Sequence, residues 1–307
     1  MKPLDPRRLR TVSAKRRASR VETSAFAKPV ERTASLRSFY RSLPGILKGD
    51  ELGALARAVA RARAQGRGVI WACGGHVIKV GCAPLIVDLM KRGIVTGLVL
   101  NGAAAIHDFE IAFMGRTSED VAAGVRTGTF GMARETGAFF AAAAAHGRAI
   151  GLGEALKEAF AKGKLPHKRH SLIAGAARYD VPLTVHVALG TDIVHMHPDC
   201  DGAALGAATH YDFRLLAALC ATLDRGVFLN WGSAVIVPEV FVKAVTLQNN
   251  VRKRPLRITT ANFDQLRHYR PRVNVVERPS VRGYDFAGHH ELMMPLFRLA
   301  VLEEMKA

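Results

Sequence analysis

Residues 190–210 read "GTDIVHMHPDCDGAALGAATH" and place three histidines, three aspartates, a cysteine and three glycines in one short stretch. His195, His197 and Asp199 alternate at a spacing of two, so a strand would project all three from one face. With His186 or Cys200 they offer the nitrogen, oxygen and sulfur donors of a zinc or iron site. The competing reading is that His195 and His197 lie in an apolar run, hydrogen-bonded in the interior or lining a ligand pocket. Pocket lining is the reading preferred here, with no metal; a metal on His195, His197 and Asp199 is the alternative.

A second group, "HDFE" at 107–110, opens an apolar helical pattern directly after "NGAAAI". Acidic side chains near a helix start are favourable in any protein. A carboxylate beside an imidazole is also how a general base is oriented and tuned. Its place at the end of an apolar strand favours chemistry, and His107 and Asp108 join His195 and His197 as candidate catalytic residues. "GHHELMMP" at 288–295 lacks the spacing of a zinc-protease helix, because its two histidines are adjacent. Lys79 is the lysine closest to the glycine turns, where a solvated charge competes with a phosphate-binding or imine-forming role. Cys73, Cys82, Cys200 and Cys220 are far apart with no paired motif and read as reduced thiols of a cytoplasmic protein.

The elements that must hold these groups alternate from about residue 50. "GVIWACGG", "VTGLVLNG", "VPLTVHVAL", "DIVHMHP", "GVFLNWGSA", "RITTANFD" and "RVNVVERP" read as strands. "DELGALARAVARARAQG", "CAPLIVDLMKRG", "AAAIHDFEIAFMG" and "PEVFVKAVTLQNN" read as helices. Apolar strands running into helices through glycine turns indicate an α/β fold: one Rossmann-like domain, a mostly parallel sheet with helices on both faces. Ligands of such sheets sit outside the carboxyl ends of the strands. Those ends are "CGGH" at 73–76, "NGAAAIHD" at 101–108, "HMHPDCDG" at 195–202 and "NWGSA" at 230–234, where most of the unusual polar residues fall. Gly74, Gly75, Gly102 and Gly232 would let a phosphate or ribose approach the backbone at helix starts. No GxGxxG fingerprint is present.

Taken in order, these segments resemble deoxyhypusine synthase over roughly residues 68–245. "GTDIVHMHPDCDGAALGA" parallels that family's strand and D-G-S-D-S-G-A loop, and "NGAAAIHDFE" its T-A-G-G-V-E-E-D segment. "GGHVIKVG" lies where the family has T-S-N, and "NWGSAVIVPEVFV" is similar to its D-A-S strand-to-helix turn. "NGAAAIHD" also resembles a segment of archaeal-type ornithine cyclodeaminases, which use NAD. The resemblance implies NAD as cofactor, held by Gly74, Gly75, His76, Asn101, Gly102, Ala103, Asp201, Gly202, Gly232 and Ser233. It implies a small amine or amino acid as substrate, with His107 and Asp108 where the family has paired acids. It also implies a homo-oligomer, a tetramer in that family. The family's imine-forming lysine in W-G-K is missing, because this chain has "HYDFRLLAALCA" in that place. Deoxyhypusine synthase activity itself is therefore not expected.

A net charge of +18 raises the question of nucleic acid. Residues 1–41 carry twelve Lys and Arg against three acids, so half the excess sits in one basic segment. Residues 1–44 read as a flexible basic arm capable of weak nucleic-acid contact, and 45–307 as the NAD-binding domain. The remaining charge does not alternate with aromatics as an RNA-binding face would. No apolar run is long enough to span a membrane, and no apolar leader opens the chain. The resulting expectation is an NAD-dependent enzyme oxidising a C–N bond to an imine, followed by transfer, cyclisation or hydrolysis. A non-catalytic NAD-binding protein of the same fold and a metal-dependent hydrolase using the HxHxD stretch are the alternatives.

Overall fold

The computed structural model describes residues 2–305. The chain divides into two compact units, one up to Glu51 and one from Leu52. The first holds short 3-10 turns at Pro6–Arg8 and Thr23–Ala25 and a helix at Leu36–Ser42. Ser35 caps that helix by accepting the Ser38 amide at 3.1 Å.

The second unit is built on six strands: β1 (Val69–Cys73), β2 (Gly97–Asn101), β3 (Leu183–His186), β4 (Val227–Trp231), β5 (Ile258–Asp264) and β6 (Ser280–Ala287). Their order is β3-β2-β1-β4-β5-β6 and every pairing is parallel. β1, β3 and β4 are buried along their whole length, as strands covered on both faces must be. On one face Trp71, Trp231 and Phe263 stack across three neighbouring strands, with centroids 5.4 and 3.8 Å apart. Phe297 of the His290–Glu304 helix covers them. On the other face Ile70, Ala72 and Phe228 pack against Phe241 and Val245 of the Ile236–Arg252 helix. Each such burial contributes about 1.5–3 kcal/mol. Among the described residues, no helix is long and apolar enough to cross a membrane.

Two expected strands are not strands. "DIVHMHP" folds as a 3-10 turn, Ile193–Met196. The His195 ring accepts the amides of Gly190 and Asp192 at 3.1 and 3.3 Å, so a local bond replaces the sheet ladder. "RVNVVERP" forms a π-helical turn, Arg272–Glu277, whose Val275 carbonyl accepts the Thr260 hydroxyl. The strand that follows it, β6, was not read from the sequence, because its edge position leaves Val281, Arg282 and Gly283 exposed and hides the apolar signal.

Candidate functional site

The order 3-2-1-4-5-6 reverses direction between β1 and β4, and that reversal opens a crevice beyond their carboxyl ends. The two ends approach closely: the Gly74 amide donates to the Trp231 carbonyl at 2.8 Å. A Cβ on Gly74 would lie 2.1 Å from the Gly232 carbonyl oxygen, so a larger residue does not fit. Gly232 has φ +66°, the left-handed region that glycine alone adopts cheaply. Ser233 is buried and its hydroxyl accepts the Val237 amide at the start of the next helix. His290 lies against Gly232 with its ring 5.6 Å from that of His76. It is wholly buried, both ring nitrogens lack a hydrogen-bond partner among the described residues, and burial lowers its pKa.

Beside this crevice is a cavity of about 150 Å³, bounded by Lys79, His107, Glu110, Glu119, Thr191 and Asp192 among others. It borders the Gly102–Met114 helix, which Asn101 caps by accepting the Ala104 amide at 2.9 Å. A Cβ on Gly75 would touch the His107 ring at 3.0 Å and Ala103 at 3.2 Å. His107 therefore stands at the border of crevice and cavity.

Its ring is held from behind. Nδ1 lies 2.6 Å from the Thr117 hydroxyl, and that hydroxyl donates to Glu110 Oε2. A carboxylate only accepts, so the single Thr117 proton goes to Glu110 and Nδ1 must donate to Thr117. The neutral imidazole then carries its lone pair on Nε2. Burial alone would raise the Glu110 carboxyl, but hydrogen bonds with His107 and Thr117 outweigh it and hold the group below its ordinary value. Asp192 is the opposite case: burial pushes it up to about 6, which a protonated His107 would offset only in part.

The other expected residues take different places. Asp108 is not part of the cavity wall: it is fully buried, accepting the Leu172 and Ile173 amides at 2.7 and 3.0 Å and the Ser171 hydroxyl. Its carboxylate fixes the start of the Leu172–Arg178 helix. His195 Nε2 points toward Asp192 at 3.8 Å from inside the 3-10 turn. His197 packs on the Arg134–Gly147 helix, where a Cβ on Gly137 would lie 2.1 Å from its ring. His195, His197 and Asp199 thus share no strand face. Among the described residues, no group of three or more His, Cys, Asp or Glu is placed to hold a metal ion. Asp201 caps the Gly202–Leu219 helix and pairs with Arg148, so Asp201 and Gly202 start a helix of their own after the β3 edge. Thr117, Glu119 and Asp192 had not been singled out; Glu110 had entered only as part of the "HDFE" helix start, and His290 only as one of the adjacent histidines of "GHHELMMP". Glu110 had a readable signal, because it lies one helical turn from His107; Thr117 and Asp192 are joined to it only by the fold.

No family model matches the sequence, and no curated protein matches it. Solved structures do share its fold. AgrE in a ternary complex with ornithine and NAD+ is similar at TM-score 0.54 and 15% identity, over 90% of this chain and 34% of that one. A conserved putative LOR/SDH protein from Methanococcus maripaludis S2 gives 0.53 and 14%, over 83% and 69%. A putative deoxyhypusine synthase from Entamoeba histolytica gives 0.52 and 8%, over 90% and 96%. The chain spans about a third of AgrE. At these identities the likeness is one of architecture: this is an α/β protein with the parallel six-stranded fold of a deoxyhypusine synthase-like protein.

Proposed function

We propose that the chain is an NAD-dependent enzyme that oxidises a C–N bond of a small amine or amino acid. The observation that carries this reading is the Glu110–Thr117–His107 relay, which leaves a basic Nε2 at the border between the β1–β4 crevice and a small polar cavity. The crevice suits a dinucleotide. Gly74, Gly75 and Gly232 let the strand ends, His107 and His290 pack closely there, the first turn of a helix leaves N–H groups free for phosphate, and His290 is a buried polar group that lacks a partner among the described residues. Bound there, NAD would supply the hydride acceptor. The ornithine and NAD+ in the AgrE complex support the same pairing of ligands.

In this reading His107 Nε2 takes the proton lost from the substrate nitrogen as its carbon gives up hydride, which leaves an imine. Glu110 stabilises the imidazolium so formed through Thr117. Glu119 and Asp192 provide the negative wall that holds a substrate ammonium, and Lys79 sits where a substrate carboxylate would be met. A cavity of about 150 Å³ restricts the substrate to a small molecule. The test is to supply NAD+ with ornithine, arginine, lysine, putrescine and spermidine in turn, following substrate loss and NADH. Turnover of one of them that vanishes in His107→Ala, with NAD binding kept within a few-fold, is the expected result. Unchanged turnover in His107→Ala would overturn the assignment.

A further inference from the structure

A cavity of about 570 Å³ in the second unit lies away from the crevice. It is lined by the Ala83–Lys91 helix, the end of the Leu152–Lys162 helix, and the 168–179 segment, and it opens to solvent. Its floor is apolar, formed by Val87 and the buried Phe160. The hollow exists because the Leu172–Arg178 helix presents Ala174, Gly175 and Ala177 there. Gly175 lets that helix close on its neighbour, since a Cβ would lie 2.8 Å from Val87.

Among the described residues, three cations, Lys168, Arg169 and Arg178, line the same cavity, and no carboxylate does. Among the described residues, none of the three has an acidic partner. Two are nonetheless held in place. The Arg178 guanidinium lies 5.5 Å over the Tyr179 ring, and Arg169 Nε donates to His170 at 2.9 Å. All three are exposed, and cations without acidic partners at the mouth of one cavity suit an anion, with arginine favouring phosphate oxygens. The volume falls in the range of small-molecule sites, about 300–1,000 Å³.

We infer that this cavity is a second ligand site, for an organic phosphate whose flat apolar body rests on Val87 and Phe160 while Lys168, Arg169 and Arg178 hold its phosphate. Three cations match a phosphate dianion better than a single carboxylate charge. The site is independent of the dinucleotide crevice and of the reading proposed for it.

Adenosine monophosphate, inorganic phosphate and adenosine would be titrated calorimetrically into the full chain, with and without saturating NAD+. The expected result is saturable binding of the monophosphate, at least tenfold tighter than either fragment and unchanged by NAD+. Arg169→Ala with Arg178→Ala should weaken it at least tenfold. Ala174→Leu, which fills the hollow and keeps every charge, should do the same. Circular dichroism confirms that each variant is folded; both sets lie at a solvent-open cavity, so folding is expected to persist. No saturable binding, equal binding of inorganic phosphate, displacement by NAD+, or folded variants that bind as the parent does would each overturn the site.

Discussion

Asp192 and Gly102 are in contact: a Cβ on Gly102 would lie 2.0 Å from the Asp192 carboxylate oxygen. The carboxylate thus sits against the first residue of the helix that carries His107 and Glu110. Alanine would favour the helix at that position, yet here it must push Asp192 aside. Gly102→Ala should lower unfolding stability by about 1–3 kcal/mol. In an Asp192→Ala background the same change should cost little, so a double-mutant cycle by denaturant unfolding must show coupling. Additive effects would mean that the two residues do not meet.

The relay behind His107 makes a kinetic statement. Glu110→Gln keeps the shape but cannot stabilise the imidazolium, and should lower kcat by about 100-fold or more with KM nearly unchanged. Thr117→Val breaks the link and should resemble it. Steady-state kinetics on the substrate found active would show this, and a change confined to KM would remove the relay from catalysis.

Gly232 is constrained twice, by a φ of +66° and by His290, whose Nε2 would lie 2.6 Å from an added Cβ. Gly232→Ala should therefore destabilise the protein, and His290→Ala should restore only part of the loss because the backbone strain remains. The folded fraction of Gly232→Ala should bind NAD at least tenfold more weakly than the parent. Fluorescence titration with NADH gives the answer.

Asp212 sets a pH dependence. Burial pushes its carboxyl up to about 7, against the pull of the Val185 and Gly153 amides that it accepts at 2.8 Å each. A folded pKa above the unfolded one means that the folded state holds the proton longer. The stabilising effect is full below the ordinary value of 3.8 and is lost progressively as pH rises toward 7. Asp212→Asn, with no charge to bury, should therefore remove this slope and be the more stable form above pH 7. Melting temperatures across that range measure it; a parallel profile for both proteins would contradict the assignment.

The sequence showed the parallel sheet because β1, β2 and β4 are short apolar runs that end in glycine or asparagine-glycine, a signal local to each strand. It also pointed to His107, through the helix start after Asn101, and that ring borders the small cavity. Asp108 was misplaced because its neighbours in space, Leu172 and Ile173, are distant in sequence, and only the fold reveals that their amides consume its carboxylate. The histidines at 195 and 197 suggested a strand face by spacing alone. Spacing cannot register that β3 stops at His186 and that the chain then turns on bonds to the His195 ring.

The pairing of β1 with β4 joins Val69 to Val227, about half the sequence apart. A ribosome must release the chain through residue 231 before the central strand can find its second neighbour along its whole length. Until then the apolar runs of β1 and β2 have an open edge, a template for other chains. Such distant pairing slows folding. Acquisition of the crevice is therefore a late event in the life of each molecule, and a chain that stalls before residue 227 exposes sticky strands without ever forming the ligand site.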